Sequence, residues 1–209
     1  MYTDSRRSAG RLDFGKTYFW RVDEANGVPD NTVFKGNVWS FDTTGFVIVD
    51  DMESYKSRDG NWIWETWKDG FGDDNNGALL GHNGDDMETD IVFDGKQSLP
   101  YYYGQGGAAS SEAFRDINRD WGQHGIASLS LMFYGSTSSI AGDMYVTVND
   151  ERVATYPTPA DLTVEEWHTW AFDLPAAALG QVDTLAIGFE GGTGWVFIDA
   201  IRLHPPASE

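Results

Sequence analysis

From Phe46 to the C-terminus the chain is a succession of short runs in which apolar and polar residues alternate, each closed by Gly, Asp, Asn or Ser. A period of two places successive side chains on opposite faces of an extended strand, and frequent turn residues let neighbouring strands run antiparallel. Candidate strands are 46–50, 61–67, 89–93, 97–103, 110–115, 127–134, 143–149, 152–156, 167–173, 184–190 and 195–203. No helix longer than a turn or two is expected; "TPADLTVEEW" offers one short turn, with Thr163 as N-cap and Glu166 three residues on. The pattern predicts an all-β fold, an antiparallel β-sandwich. Nine Trp, nine Tyr, twelve Phe and 24 Gly in 209 residues agree with it, because aromatic residues favour strands and glycine favours turns.

Alternation also assigns faces. In "SLSLMFYG", Leu129, Leu131 and Phe133 face the core, with Ser128, Ser130, Met132 and Tyr134 opposite; in "MYVTVN", Met144, Val146 and Val148 face it, with Tyr145, Thr147 and Asn149 opposite. In "TLAIGFE" the inner set is Leu185, Ile187 and Phe189. The three runs are expected to share a second face of small, hydroxyl and aromatic side chains, a composition suited to sugar. Trp170, Phe172 and Leu174 have the parity of core residues, and Trp167 the opposite one. On a regular strand "GNWIWETW" puts Trp62 and Trp64 on one face and Trp67 on the other, with Trp62 and Trp64 structural and Trp67 beside the Asp/Asn-rich loop as a candidate sugar contact.

Residues 1–45 form a separate region. "TYFWRV" and "NVWSFDTT" read as two strands joined by "EANGVPDN", too few for an independent sandwich, so a short β-hairpin-like appendage is expected before a main domain at 46–205. The stretch from Leu12 to Thr44 resembles the last two strands of a fibronectin type III domain, with Tyr18, Trp20 and Val22 at core-facing places. That resemblance implies that the chain is part of a larger multidomain protein.

The 33 acidic residues outnumber 14 basic ones for a formal charge of −19, which repels phosphate backbones and anionic membranes; no nucleic-acid partner is expected. The absence of cysteine excludes disulfides, thiolate metal sites and cysteine nucleophiles. No run approaches 18 apolar residues and "MYTDSRRSAGRLDFGK" lacks the apolar stretch of a leader, so no membrane insertion is expected, and secretion only as part of a parent protein. Serine-hydrolase, zinc-protease and nucleotide-binding motifs are missing, and the reading is non-enzymatic. Carboxylates can instead hold a hard cation: "VDDMES" offers Asp50, Asp51 and Glu53, "FDGKQS" offers Asp94 and the carbonyl of Gln97, and Asp199 sits among Val, Phe and Ile, where an unpaired charge is costly.

"FVIVDDMESY", "FDGKQSL" and "VFIDAIRL" together resemble the calcium-stabilised β-jelly-roll carbohydrate-binding modules. "WKDG", "GKQSLPYYY", "SEAFR", "DWGQHGIASLSLMFYG", "MYVTVND", "EEWHTWAFDL" and "IDAIRL" resemble, more closely, a jelly-roll module found downstream of adhesive domains in large secreted bacterial proteins. The resemblance spans roughly residues 46 to 204. It implies a jelly roll with a structural calcium held by Glu53, the carbonyl of Asp51, Asp94, the carbonyl of Gln97 and Asp199. It departs from the pattern at Ala200, where a second Asp is usual. It implies a monomeric module with a polysaccharide partner.

A pyranose presents an apolar C–H face that stacks on Trp or Tyr and hydroxyls that need polar partners. Candidate contacts off the expected core face are Tyr102, Arg115, Tyr134, Tyr145, Asn149 and Trp167, with Trp67 added from the loop. Two alternatives stay open: a calcium-clamped adhesive spacer whose second face carries no aromatics, and a jelly-roll polysaccharide lyase or hydrolase, for which a lyase would pair Tyr134 or Tyr145 with Arg115.

Overall fold

The computed structural model describes residues 12–56, 60–82, 86–122 and 125–206. The chain divides into two compact units, Met1–Val47 and Ile48–Glu209. In the first, β1 (Thr17–Trp20), β2 (Glu24–Ala25), β3 (Val33–Phe34) and β4 (Trp39–Asp42) pair antiparallel as β1 with β4 and β2 with β3. Cross-strand rings hold the longer pair: Tyr18 stacks on Phe41 at 5.7 Å and Trp20 packs on Trp39 at 4.8 Å. The expected hairpin is there, but Trp20, Val22 and Trp39 are largely exposed.

The second unit is the antiparallel sandwich that the alternation predicts. Its strands are β5 (Val47–Asp50), β6 (Trp67–Lys68), β7 (Leu79–Leu80), β8 (Leu99–Tyr103), β9 (Ser110–Asp120), β10 (Ser128–Tyr134), β11 (Asp143–Val148), β12 (Glu151–Thr155), β13 (Trp167–Asp173), β14 (Gln181–Glu190) and β15 (Gly194–His204). One sheet runs β13-β10-β15-β8-β7 with β5 also on β15, and the other runs β12-β11-β14-β9-β6. Among the described residues no helix is long and apolar enough to cross a membrane.

The core assignments hold. Leu129, Leu131 and Phe133 from the six-stranded sheet and Met144, Val146, Val148, Leu185, Ile187 and Phe189 from the five-stranded sheet are all buried between the layers. Tyr103 stacks on Phe189 at 4.3 Å across the gap, and the Tyr101 hydroxyl donates to the Ile187 carbonyl at 2.8 Å, so its polar tip is satisfied inside.

Three local expectations are corrected. Residues 61–67 are not one strand: Ile63–Thr66 make a helical turn, α1, before β6. Segment 89–93 is a loop, pinned by the Glu88 to Ser98 bridge. Thr163 ends a 3-10 turn, Pro159–Thr163, instead of capping its start.

Where the two sheets meet at one edge, Asp50 is a buried hub. Its Oδ2 accepts from the Tyr55 hydroxyl at 2.6 Å, from Trp67 Nε1 at 2.9 Å and from the Arg115 guanidinium, while Oδ1 accepts from Met52 N at 2.9 Å. The Arg115 guanidinium also lies over the Trp67 ring, 5.7 Å from its centroid. The carboxylate comes from β5 of one sheet, and Trp67 and Arg115 come from β6 and β9 of the other. Removing one partner of such a buried pair strands the other's charge, so Asp50→Ala is expected to cost roughly 3 to 5 kcal/mol in urea unfolding. A loss below about 1 kcal/mol, the size of an exposed pair, would contradict the hub.

Candidate functional site

Register decides which side chains share a surface. On the outer face of the six-stranded sheet, Tyr134 is paired with Trp167 on β13 and with Phe197 on β15, Trp195 of β15 with Tyr102 of β8, and Tyr102 with Leu79 of β7. These residues make a band of rings across the strands. Trp167 meets Tyr134 at 5.6 Å, Tyr134 meets Phe197 at 6.2 Å, and Phe197 meets Trp195 at 4.7 Å. Phe93, 42% exposed on the loop before β8, caps the band edge-on to Trp167 at 5.7 Å. Tyr102, Tyr134, Trp167 and Trp195 are each partly exposed, and Phe197 is buried beneath them.

Polar groups flank the band. His82 Nδ1 lies 2.7 Å from the Tyr102 hydroxyl and Nε2 lies 3.0 Å from Glu88, while Glu88 also accepts from the amides of Asp90 and Ile91. Burial pushes the Tyr102 hydroxyl above its ordinary range, with the Glu88 charge adding to it, so it stays a neutral donor and acceptor.

Of the seven residues expected from the sequence to contact sugar, the structure brings together Tyr102, Tyr134 and Trp167. The other four lie elsewhere. Trp67 is wholly buried and Arg115 faces inward, both bound to Asp50. Asn149 is a turn clamp: its Oδ1 accepts from Asp183 N and Thr184 N, and its Nδ2 donates to Gln181 O. Tyr145 lies on the outer face of the five-stranded sheet, only 6% exposed, because its ring lies over Gly188 and beneath the Arg152 guanidinium at 3.8 Å. The expected shared face of three runs is therefore two faces, since β10 belongs to one sheet and β11 and β14 to the other. Arg115 is also unavailable to the lyase pairing with Tyr134 or Tyr145.

Sequence reasoning missed Trp195, Phe197 and Phe93. Trp195 and Phe197 carry a legible signal, an alternation out of phase with Val196 and Ile198 in "GWVFIDAI". The role of Phe93 depends on a loop path that alternation does not encode.

At the end of the same face Glu53 and Asp199 converge on the 93–97 turn. Glu53 Oε1 accepts from Lys96 N at 2.8 Å and Gln97 N at 3.1 Å; Asp199 Oδ2 accepts from Phe93 N and Asp94 N, both at 3.1 Å. Asp199 Oδ1 accepts from Ala200 N at 2.6 Å, with Ala200 in a left-handed bulge at φ +51°. Asp199 is fully buried, and burial lifts its carboxyl to about 6, with the Glu53 charge adding to the rise against three backbone amides that lower it. Asp94 pairs with Arg202, and the Asp51 carboxylate accepts from Glu53 N at 3.2 Å. Gln97 contributes a side-chain amide that donates to Met52 O at 2.5 Å and Tyr55 O at 3.0 Å. Among the described residues no group of three or more His, Asp or Glu side chains is placed to hold a metal ion, so a cation here would complete its shell with carbonyls.

No family model and no curated protein matches the chain. Among solved structures it is similar to the CBM27-1 module of Caldicellulosiruptor saccharolyticus in complex with mannohexaose, with TM-score 0.54 and 13% identity over 79% of this chain and 100% of that one. It is also similar to an exo-beta-agarase, with TM-score 0.53 and 12% identity over 79% of this chain and 26% of that one. The chain thus spans about a quarter of the agarase. The likeness is one of fold, an antiparallel β-sandwich shared with the CBM27-1 module.

Gly95 has φ +80°, and a Cβ there would collide with the Glu53 carboxylate. Gly72 has φ +86° with open space around it. Gly72→Ala should cost about the 1 kcal/mol of a left-handed alanine, and Gly95→Ala clearly more by thermal unfolding. Equal losses would show that the turn does not clasp Glu53.

Proposed function

We propose that this protein is a non-catalytic polysaccharide-binding module, working as part of a larger secreted protein. The observation that carries the reading is the aromatic band on the outer face of the six-stranded sheet, formed by Trp167, Tyr134, Trp195 and Tyr102 over Phe197. Large partly exposed rings in one contiguous strip are unusual on a surface with no partner, and ring faces are what the C–H side of a pyranose stacks upon. The band crosses four strands at a spacing of roughly 4.8 Å per strand, long enough for about three sugar rings. The formal charge of −19 favours a neutral glycan over an anionic one. The similar module CBM27-1 is itself described with mannohexaose, which supports a saccharide ligand here. A spacer with an aromatic-free face does not fit this surface.

Affinity electrophoresis and calorimetry against mannohexaose, xylohexaose, a mixed-linked β-glucan tetrasaccharide and an agaro-oligosaccharide test the reading. At least one is expected to bind, and Trp167→Ala or Tyr134→Ala should weaken it at least tenfold, as loss of a central aromatic anchor does. Tyr145→Ala should leave affinity unchanged. Wild-type binding to none of these saccharides would count against the proposal.

The second part of the proposal is a structural calcium ion between Glu53 and Asp199, with the carbonyls of Asp51 and Gln97 as further donors. A fully buried carboxylate, Asp199, whose carboxyl is raised by burial and further by the Glu53 charge, suits a divalent cation. Asp94, engaged by Arg202, would have to exchange that partner to join the shell. Millimolar calcium is expected to raise the melting temperature over that in chelator by several degrees, and Glu53→Gln should abolish the difference. An unchanged melting temperature would mean that the backbone amides alone hold the two carboxylates.

A further inference from the structure

Beside β7 and β8 three side chains form a hydrogen-bonded chain that ends on the ring band: Glu88, His82 and Tyr102. Glu88 is mostly buried and His82 is partly exposed. An antiparallel bridge holds the Glu88 backbone, with Glu88 N donating to Ser98 O at 3.0 Å and Ser98 N to Glu88 O at 2.9 Å. The His82 ring stands edge-on to two rings of the band, Phe197 at 5.9 Å and Tyr102 at 6.2 Å.

Where the protons sit follows from which groups can donate. Glu88 Oε1 accepts from Asp90 N at 2.6 Å and Ile91 N at 3.1 Å, and Oε2 lies 3.0 Å from His82 Nε2. Burial works against the Glu88 charge, but the Asp90 amide, His82 and the Ile91 amide outweigh it and hold the carboxyl below its ordinary range. An ionised carboxylate only accepts, so His82 Nε2 carries the proton. In a neutral imidazole the other nitrogen is then an acceptor, and the group 2.7 Å from Nδ1 is the Tyr102 hydroxyl. Tyr102 therefore donates its one proton to His82, and its oxygen offers only lone pairs to anything else that approaches.

Tyr102 is partly exposed and also lines the groove beside β7 with Leu79 and Gln105, so a ligand on the band can reach it. A sugar hydroxyl can donate to its oxygen. An ether or a fluorine at the same place would set lone pairs against lone pairs. We infer that Glu88 and His82 are positioning residues that fix Tyr102 as a hydrogen-bond acceptor, so that this end of the band selects saccharides with an unsubstituted hydroxyl over those with an ether at that place. The inference rests on the glycan-binding reading above and adds to it the polarity of one contact.

The test uses the oligosaccharide of the panel that binds wild type and its monodeoxyfluoro analogues, whose C–F group cannot donate, at about pH 8, where imidazoles are neutral. At one position fluorine is expected to weaken wild-type binding about tenfold, the size of one hydrogen bond, and Tyr102→Phe should remove that penalty. Glu88→Gln reverses the chain. The side-chain oxygen stays on the Asp90 and Ile91 amides, the new amide nitrogen faces His82 Nε2, the imidazole proton moves to Nδ1, and Tyr102 turns its own proton outward. The penalty should then fall from about tenfold to about twofold. Imidazole ¹⁵N spectra of the ligand-free protein should show His82 protonated at Nε2 in wild type and at Nδ1 in Glu88→Gln, a change that lost packing would not produce. A wild-type His82 protonated at Nδ1 would overturn the inference whether or not a saccharide binds. If no position shows a penalty that Tyr102→Phe removes, the contact is overturned while the band stands. Binding of no saccharide by wild type would remove the glycan reading, and the selectivity with it, without touching the His82 tautomer.

Discussion

The Asp50 hub constrains the rest of the second unit. One carboxylate on β5 draws a tyrosine hydroxyl, an indole and a guanidinium into the seam between the sheets, and the last two belong to the opposite sheet. An ionised group in that seam is tolerable only because each oxygen has donors, and the cation that balances it also covers the Trp67 ring. Two of the most reactive-looking side chains of the chain, Arg115 and Trp67, are thereby committed to structure. Any surface that binds a ligand must be built from other residues.

That surface follows from how a sandwich divides its strands. Inward residues meet in the core and outward ones are left to water or a ligand, but the outward residues of the two sheets look in opposite directions. The six-stranded sheet leaves a band of rings on its outer face. The five-stranded sheet leaves Tyr145 lying over Gly188 and beneath Arg152, a ring already covered by a cation. The segment from Asp86 to Gln97 borders the first face, supplying Phe93 at one place and the turn around Glu53 and Asp199 at another.

Periodicity read the strands and the inward residues well, because a period of two leaves few alternatives once one face must be buried. Leu129, Leu131, Phe133, Met144, Val146 and Val148 all lie where alternation puts them. It did not say which sheet each strand joins, and so merged Tyr134 and Tyr145 into one face. It also treated "NWIWETW" as a strand, whereas a helical turn at 63–66 stacks Trp62 on Trp64 and sends Trp67 inward, away from any sugar contact. Asp199 stood out as a carboxylate among apolar residues. Its partners, the amides of a turn 105 residues away, follow from loop geometry that no local pattern carries.

The central claim is that a saccharide lies on the ring band of the six-stranded sheet. The most direct measurement is a titration followed by the indole N–H signals in a ¹⁵N-correlated NMR spectrum, using the binding oligosaccharide as ligand. The account predicts that Trp167 and Trp195 shift on saturation while the buried Trp67, Trp121 and Trp170 do not. Perturbations confined to residues around Tyr145 and Arg152, with Trp167 and Trp195 unmoved, would contradict it.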